Sequence, residues 1–191
     1  MPASAKDSYH HGDLRAALLT AAMEMLEQGE PFSLRALARR SGVSPTAPYR
    51  HFEDRDALES ALATEGFRDL RTDLTVRGAL PSSAAELAEL GVVYVDFALR
   101  RPALFRLMFG NECDDSDDQR VRAADDLREL LAQAMAAVFP GDDTAALADA
   151  GWAVAHGLAF LHLDGKLSAN SPAEVAARVR AAYAAIFSAG R

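Results

Sequence analysis

Residues 33 to 52 read SLRALARRSGVSPTAPYRHF and hold four guanidinium groups (Arg35, Arg39, Arg40, Arg50), the hydroxyls of Ser44, Thr46 and Tyr49, the imidazole of His51 and no carboxylate. Side chains of this kind donate hydrogen bonds and carry positive charge, so their chemistry is recognition of phosphate and of base edges. An arginine on a guanine edge alone discriminates by about 1 to 3 kcal/mol. The window stands out because the chain has a net charge of -8. Up to Arg55 acids and bases balance, so all the excess acid lies downstream. Screening over about 8 to 10 Å leaves a bound phosphate answering mainly to the nearest patch.

Other chemistries lack their residues. There is no Ser, His and Asp arrangement on recognisable elements, no glycine-rich phosphate loop and no Cys and His set with zinc spacing, so the sequence does not read as an enzyme and calls for no cofactor. The adjacent His10 and His11 lack a coordinating set, and the acidic stretch DDSDD lacks the glycine and distal glutamate of a calcium loop, so no metal is expected. The single Cys113 excludes an internal disulfide, and its acidic neighbours argue against a reactive thiolate. No leader is legible and charges interrupt the apolar runs before about 20 residues, which predicts a cytoplasmic protein without a membrane partner.

Helices must position the basic window. The alanine-rich, 3.6-periodic sequence predicts an all-α protein of about nine helices. Asp13 is placed to cap a first helix that ends at Gly29, and Ser33 a second that ends at Gly42. Ser44 with Pro45 is placed to start a third, and Asp54 a long fourth with Leu58, Leu62, Leu70 and Leu74 on its inner side. A linker is expected around residues 76–83, followed by helices over about 84–99, from Pro102, and over about 119–139, 143–163 and 172–187. Two short helices joined by a glycine turn have the layout of a helix-turn-helix, in which the second helix enters the major groove.

The stretches YHHGDLRAALLTAAMEML and FSLRALARRSGVSPTAPYRHFEDRDALESAL resemble the N-terminal DNA-binding domain of TetR-family transcriptional regulators. The resemblance implies a homodimer on a palindromic double-stranded DNA operator, usually a repressor, released by a small-molecule effector held in the C-terminal domain. It implies a DNA-binding unit over residues 1–55 and an effector and dimerisation unit over residues 56–191. By matching positions, Arg35 contacts DNA from the second helix, and Ser44, Pro45, Thr46, Ala47, Tyr49, Arg50 and His51 form the reading surface. Arg55 stands where the family usually has a phosphate-binding lysine. Pro48 departs from the common leucine. Lacking an N–H to bond back to Ser44, and biasing Ala47 away from the helical region, it predicts a distorted or 3-10 first turn.

In the second half, GWAVAHGLAFLHLDG repeats small residues at Gly151, Ala155 and Ala159, a stripe on which another helix can approach closely. Together with Val175, Val179, Ala182, Tyr183 and Ile186 it is the expected dimer interface, a four-helix contact between symmetry mates. The Trp-x-x-x-His-Gly pattern of Trp152, His156 and Gly157 also resembles the C-terminal domain of one branch of the family. An effector cavity is expected between Trp152, His156 and Phe160 on one side and Phe97, Phe105, Met108 and Phe109 on the other. The competing reading is a helical adaptor that binds protein through an exposed stripe and makes no use of the basic window.

Overall fold

A computed structural model describes residues 10–76, 78–110 and 118–188. They form eight α-helices and one 3-10 turn with no strand among the described residues: α1 (His10–Glu27), α2 (Leu34–Arg40), the 3-10 turn (Pro48–Arg50), α3 (Arg55–Thr75), α4 (Ala84–Arg100), α5 (Pro102–Gly110), α6 (Asp118–Val138), α7 (Thr144–Leu163) and α8 (Pro172–Ser188). Local signals account for most boundaries. Ser33, Asp54, Ser83 and Asp143 each accept from a backbone N–H three residues on, satisfying donors that a helix start leaves open. Gly29, Gly42 and Gly165 take φ near +65° after α1, α2 and α7. In each case the following residue's N–H reaches back five residues, from Glu30 to Met25, Val43 to Ala38 and Lys166 to Leu161, the Schellman closure that releases the chain sideways.

Three expectations need correction. α1 already includes His10, so Asp13 lies inside it and is not its cap. The third helix contracts to a single 3-10 turn: Ala47 N–H bonds Ser44 O and Arg50 N–H bonds Ala47 O, both three residues back, and Pro48 supplies no rung to Ser44. Ala47 is nevertheless helical, with φ -62° and ψ -44°, so the proline removes a hydrogen bond without displacing its neighbour. Finally, α7 is long and apolar enough by length and composition to cross a bilayer, contrary to the expectation that charges break every such run. It packs instead against α4, α6 and α8. Cys113 and the DDSDD stretch lie outside the described residues, as do the side chains of His10 and His11.

Two apolar cores meet inside α3. Leu18, Ala22, Met25, Leu34, Leu37 and Phe52 close around Leu58 and Leu62. From Ala63 onward the helix faces a second core built chiefly by α4 to α8. Met23 and Leu26 of α1 and Leu107 of α5 touch both. Small residues let the helices of the second core approach closely. A Cβ on Gly66 would stand 2.6 Å from Met108 Sδ, and one on Gly91 would stand 2.6 Å from the Tyr183 ring.

Candidate nucleic-acid interface and ligand cavity

The basic window is carried by two short anchored elements. Leu34, Ala36, Leu37 and Ala38 bury one face of α2, leaving Arg35 and Arg39 exposed. Pro48 is buried beneath the 3-10 turn, and this turns Tyr49 and Arg50 outward. Tyr49, with 49% of its surface accessible, is among the few large apolar side chains left open. Ser44, Pro45, Thr46 and Arg55 are also exposed, Ala47 is half-buried, and the Ser44 and Thr46 hydroxyls lie 3.3 Å apart. The Ser44 hydroxyl thus turns to Thr46 instead of to a backbone cap.

The guanidinium groups of the window divide into two sets. Arg40 is held by Glu24 at 2.9 Å, Glu30 at 2.5 Å and Gln28 at 3.3 Å, carboxylates that also raise its pKa. It pins α2 to the end of α1 and is spent. Arg35, Arg39 and Arg50 make no ion pair with the described residues and remain available to an anion. Arg55 is partly engaged, with Nε 2.6 Å from Glu59 and its guanidinium 5.8 Å from the Phe32 ring centroid. His51 Nε2 is buried without a partner, so any contact to DNA by this ring has to come from Nδ1. The arrangement offers three cations free of ion pairs among the described residues, one exposed phenol and two hydroxyls on an exposed turn, groups suited to a groove and its phosphates.

In the second unit, Trp152 and His156, one turn apart on α7, converge on α4. Trp152 Nε1–H donates to the Tyr94 oxygen at 3.0 Å, and the Tyr94 hydroxyl lies 2.9 Å from His156 Nδ1. Since indole only donates, the tyrosine proton goes to a neutral histidine. Burial favours this state, lowering the His156 pKa and keeping the Tyr94 phenol protonated. The Trp-x-x-x-His pattern is therefore a clamp between α4 and α7.

The hollow expected around His156 is filled by rings: His156 lies 4.7 Å from Phe109, 4.8 Å from Phe160 and 5.7 Å from Phe105 between centroids. Phe97 is fully buried and lies under Arg100 and Arg101. The open space is displaced toward α6. A cavity of about 170 Å³ is walled by Phe67, Met108, Phe109 and Trp152, three of them expected there, and by Ala124, Leu127, Arg128 and Leu131. A second hollow of about 220 Å³ adjoins it across Arg128, Leu131 and Trp152. The α6 residues escaped the sequence reading because Leu127 and Leu131 carry the spacing of any amphipathic helix.

The small-residue stripe is also used differently from expectation. Gly151, Ala155, Ala159, Val175, Val179 and Tyr183 are all buried within one protomer, where Tyr183 donates to Gly151 O at 2.8 Å. They cannot face a second copy without unpacking α7 and α8. Only Ala182, half-buried, and Ile186, 44% exposed, retain access. The opposite face of α7 is open instead: Ala153 and Leu161 are exposed, Val154 and Leu158 partly so, and a Cβ on Gly157 would meet nothing within 4 Å. Only 22% of the most apolar stretch of this helix is buried.

A polar cluster also joins the helix that walls the cavity to α1. Glu27, in the last turn of α1, accepts from the Leu104 N–H at 3.3 Å in the first turn of α5 and lies 3.7 Å from Arg101 Nε. Arg101 also pairs with Asp69 of α3 at 2.5 Å. Met108 and Phe109, which wall the cavity, sit on the same short helix α5. Among the described residues no group of three or more His, Cys, Asp or Glu side chains is placed to hold a metal ion.

Comparison with known proteins agrees with this geometry. Residues 87–186 match the profile described as the tetracyclin repressor-like C-terminal domain, and residues 18–62 that of bacterial regulatory proteins of the tetR family. An uncharacterized HTH-type transcriptional regulator from Haemophilus influenzae is 28% identical over 121 residues, 61% of this chain and 59% of that relative, so the match spans less than two thirds of its length. A solved protein of unknown function from Rhodococcus sp. RHA1 is 36% identical, with a TM-score of 0.77 over 93% of this chain and 97% of that one. A bacterial regulatory protein in the tetR family from Rhodococcus RHA1 shares the fold at 19% identity, with a TM-score of 0.66 over 88% of this chain and 94% of that one.

Proposed function

From the premise that the chain belongs to the tetR family of bacterial regulatory proteins, we propose that it is a ligand-responsive transcriptional regulator binding a palindromic operator as a homodimer. The observation that carries this reading is the 3-10 turn with Tyr49 and Arg50 exposed, in a window whose Arg35 and Arg39 are also exposed and uncommitted. Ser44, Pro45 and Thr46 contribute hydroxyl and apolar contacts at the leading edge, and Ala47 packs close to the DNA. Arg55 meets phosphate by exchanging Glu59 for it, and His51 contributes through Nδ1. The reading unit, expected over residues 1–55, extends into α3 as far as Leu62, whose side chain closes its core, and the effector and dimerisation unit follows from Ala63, with α3 continuous between them.

Two copies associate through the outward face of α7, using Val154, Gly157, Leu158 and Leu161, with Ile186 of α8 at its side. The apolar area left open on this helix and the glycine without a neighbour both support close contact with a second helix. In such a dimer the two reading turns address major grooves about 34 to 36 Å apart. The effector enters the cavity between Met108, Phe109, Leu127 and Trp152. Its arrival displaces α5, disturbs the contact of Glu27 with Leu104 and Arg101, and changes the separation of the reading units. A coupling of about 1 to 3 kcal/mol weakens operator binding by about 5- to 150-fold, which makes the protein a repressor released by its ligand.

The test is a mobility-shift titration against DNA upstream of the protein's own gene, with sedimentation to report assembly. The double variant Tyr49→Ala and Arg50→Ala is expected to lose the retarded band while remaining dimeric. Unchanged DNA affinity in that variant overturns the reading and favours the adaptor alternative.

A further inference from the structure

Resting on the assignment of the α5–α6–α7 cavity as the effector site, we infer that its ligand is a compact monocyclic carboxylate, bound with the ring inside and the carboxylate at Arg128. Size sets the first constraint. A cavity of about 150 Å³ holds one benzene molecule, so the space of about 170 Å³ admits a single ring, and a larger ligand has to reach across Arg128, Leu131 and Trp152 into the adjoining hollow of about 220 Å³. The walls set the second. Phe67, Phe109 and Trp152 present aromatic surfaces, and among the described residues the only wall side-chain nitrogen besides Arg128, the Trp152 indole, already donates to Tyr94 at 3.0 Å. No described wall side chain is left to recognise a polar group on the ring itself.

Among the described residues Arg128 therefore supplies the one handle. Its side chain is 61% exposed and makes no hydrogen bond with the described residues, its ion-pair partner being Asp149 Oδ1 at 3.9 Å. By contrast, Arg40, Arg100, Arg106 and Arg180 are each held by a carboxylate at hydrogen-bond distance. A ligand carboxylate with the planar two-oxygen geometry that a guanidinium fits can displace this loose contact. Two acids border the mouth. Asp149 competes for Arg128, whereas Glu129 is occupied by Gln133 Nε2 at 3.1 Å. A bare cation thus has a rival in Arg128, and a neutral ring leaves the guanidinium unused.

Calorimetric titration of the full-length protein with 3-phenylpropionate, 3-phenylpropan-1-ol and 3-phenylpropylamine tests the assignment. The acid is expected to bind about 10-fold more tightly than the alcohol, as a charge-assisted hydrogen bond at a partly exposed site implies, and the amine most weakly. Arg128→Gln is expected to abolish that preference and Asp149→Asn to strengthen binding of the acid, a pairing of effects that general loosening of the fold does not produce. Equal binding of acid and alcohol, an unchanged preference in Arg128→Gln, or no binding of any of the three overturns the inference. A mobility shift with the acid separates the premise: binding with the Arg128 signature but no release of DNA supports the ligand class and overturns the assignment of the cavity as regulatory.

Discussion

Replacing Tyr94 by phenylalanine removes one oxygen and strands two partners. The hydroxyl is buried, accepts the Trp152 indole N–H at 3.0 Å and lies 2.9 Å from His156 Nδ1. An unsatisfied buried donor costs about 1 to 3 kcal/mol. His156 is only half-buried and can turn to water, so the stranded indole dominates and the expected loss is about 2 kcal/mol. For a chain of this length that lowers Tm by about 4 to 8 °C. Tyr183→Phe is the internal control, because the carbonyl that its hydroxyl meets, Gly151 O at 2.8 Å, already belongs to a helix. Its loss should be about 1 kcal/mol. Urea unfolding of both variants at pH 7.5, followed by circular dichroism, gives the comparison. A loss below about 0.5 kcal/mol in Tyr94→Phe, or a larger loss in Tyr183→Phe, refutes the clamp.

Burial holds the His156 pKa below its ordinary 6.5, so on acidification the unfolded chain takes up this proton first. The contribution is complete above pH 6.5 and is lost as pH falls from there through the folded-state pKa; the difference in stability between wild type and His156→Gln should shrink over that interval. Gly91→Val places carbon against the Tyr183 ring and should destabilise by about 1 to 3 kcal/mol in thermal unfolding. Gly157→Ala meets nothing in the protomer and should preserve or raise its stability by up to about 1 kcal/mol, while weakening self-association in sedimentation. Pro48→Leu restores the N–H facing the Ser44 carbonyl and should lengthen the reading helix, changing the operator sequences recovered in a binding selection; an identical preference speaks against the 3-10 turn as a determinant of contacts.

Ser33 and Asp54 cap the helices that they were expected to cap, and Gly29 and Gly42 end theirs, because capping and left-handed closure involve residues only a few positions apart. The 3-10 geometry at Pro48 was legible for the same reason, as a proline deletes a rung wherever it stands, whereas the loss of the rest of the expected third helix was not. Distant neighbours governed the rest. Arg40 looks like its fellow arginines until Glu24 and Glu30, brought over by the turn at Gly29, claim it. In α7 two apolar stripes share one period, and periodicity alone cannot say which one meets α4 and α8 and which stays open. The cavity depended on the same information: rings at helical spacing on α5 and α7 interlock around His156, and the space remaining is set by how far α6 stands off, a separation determined by packing between helices.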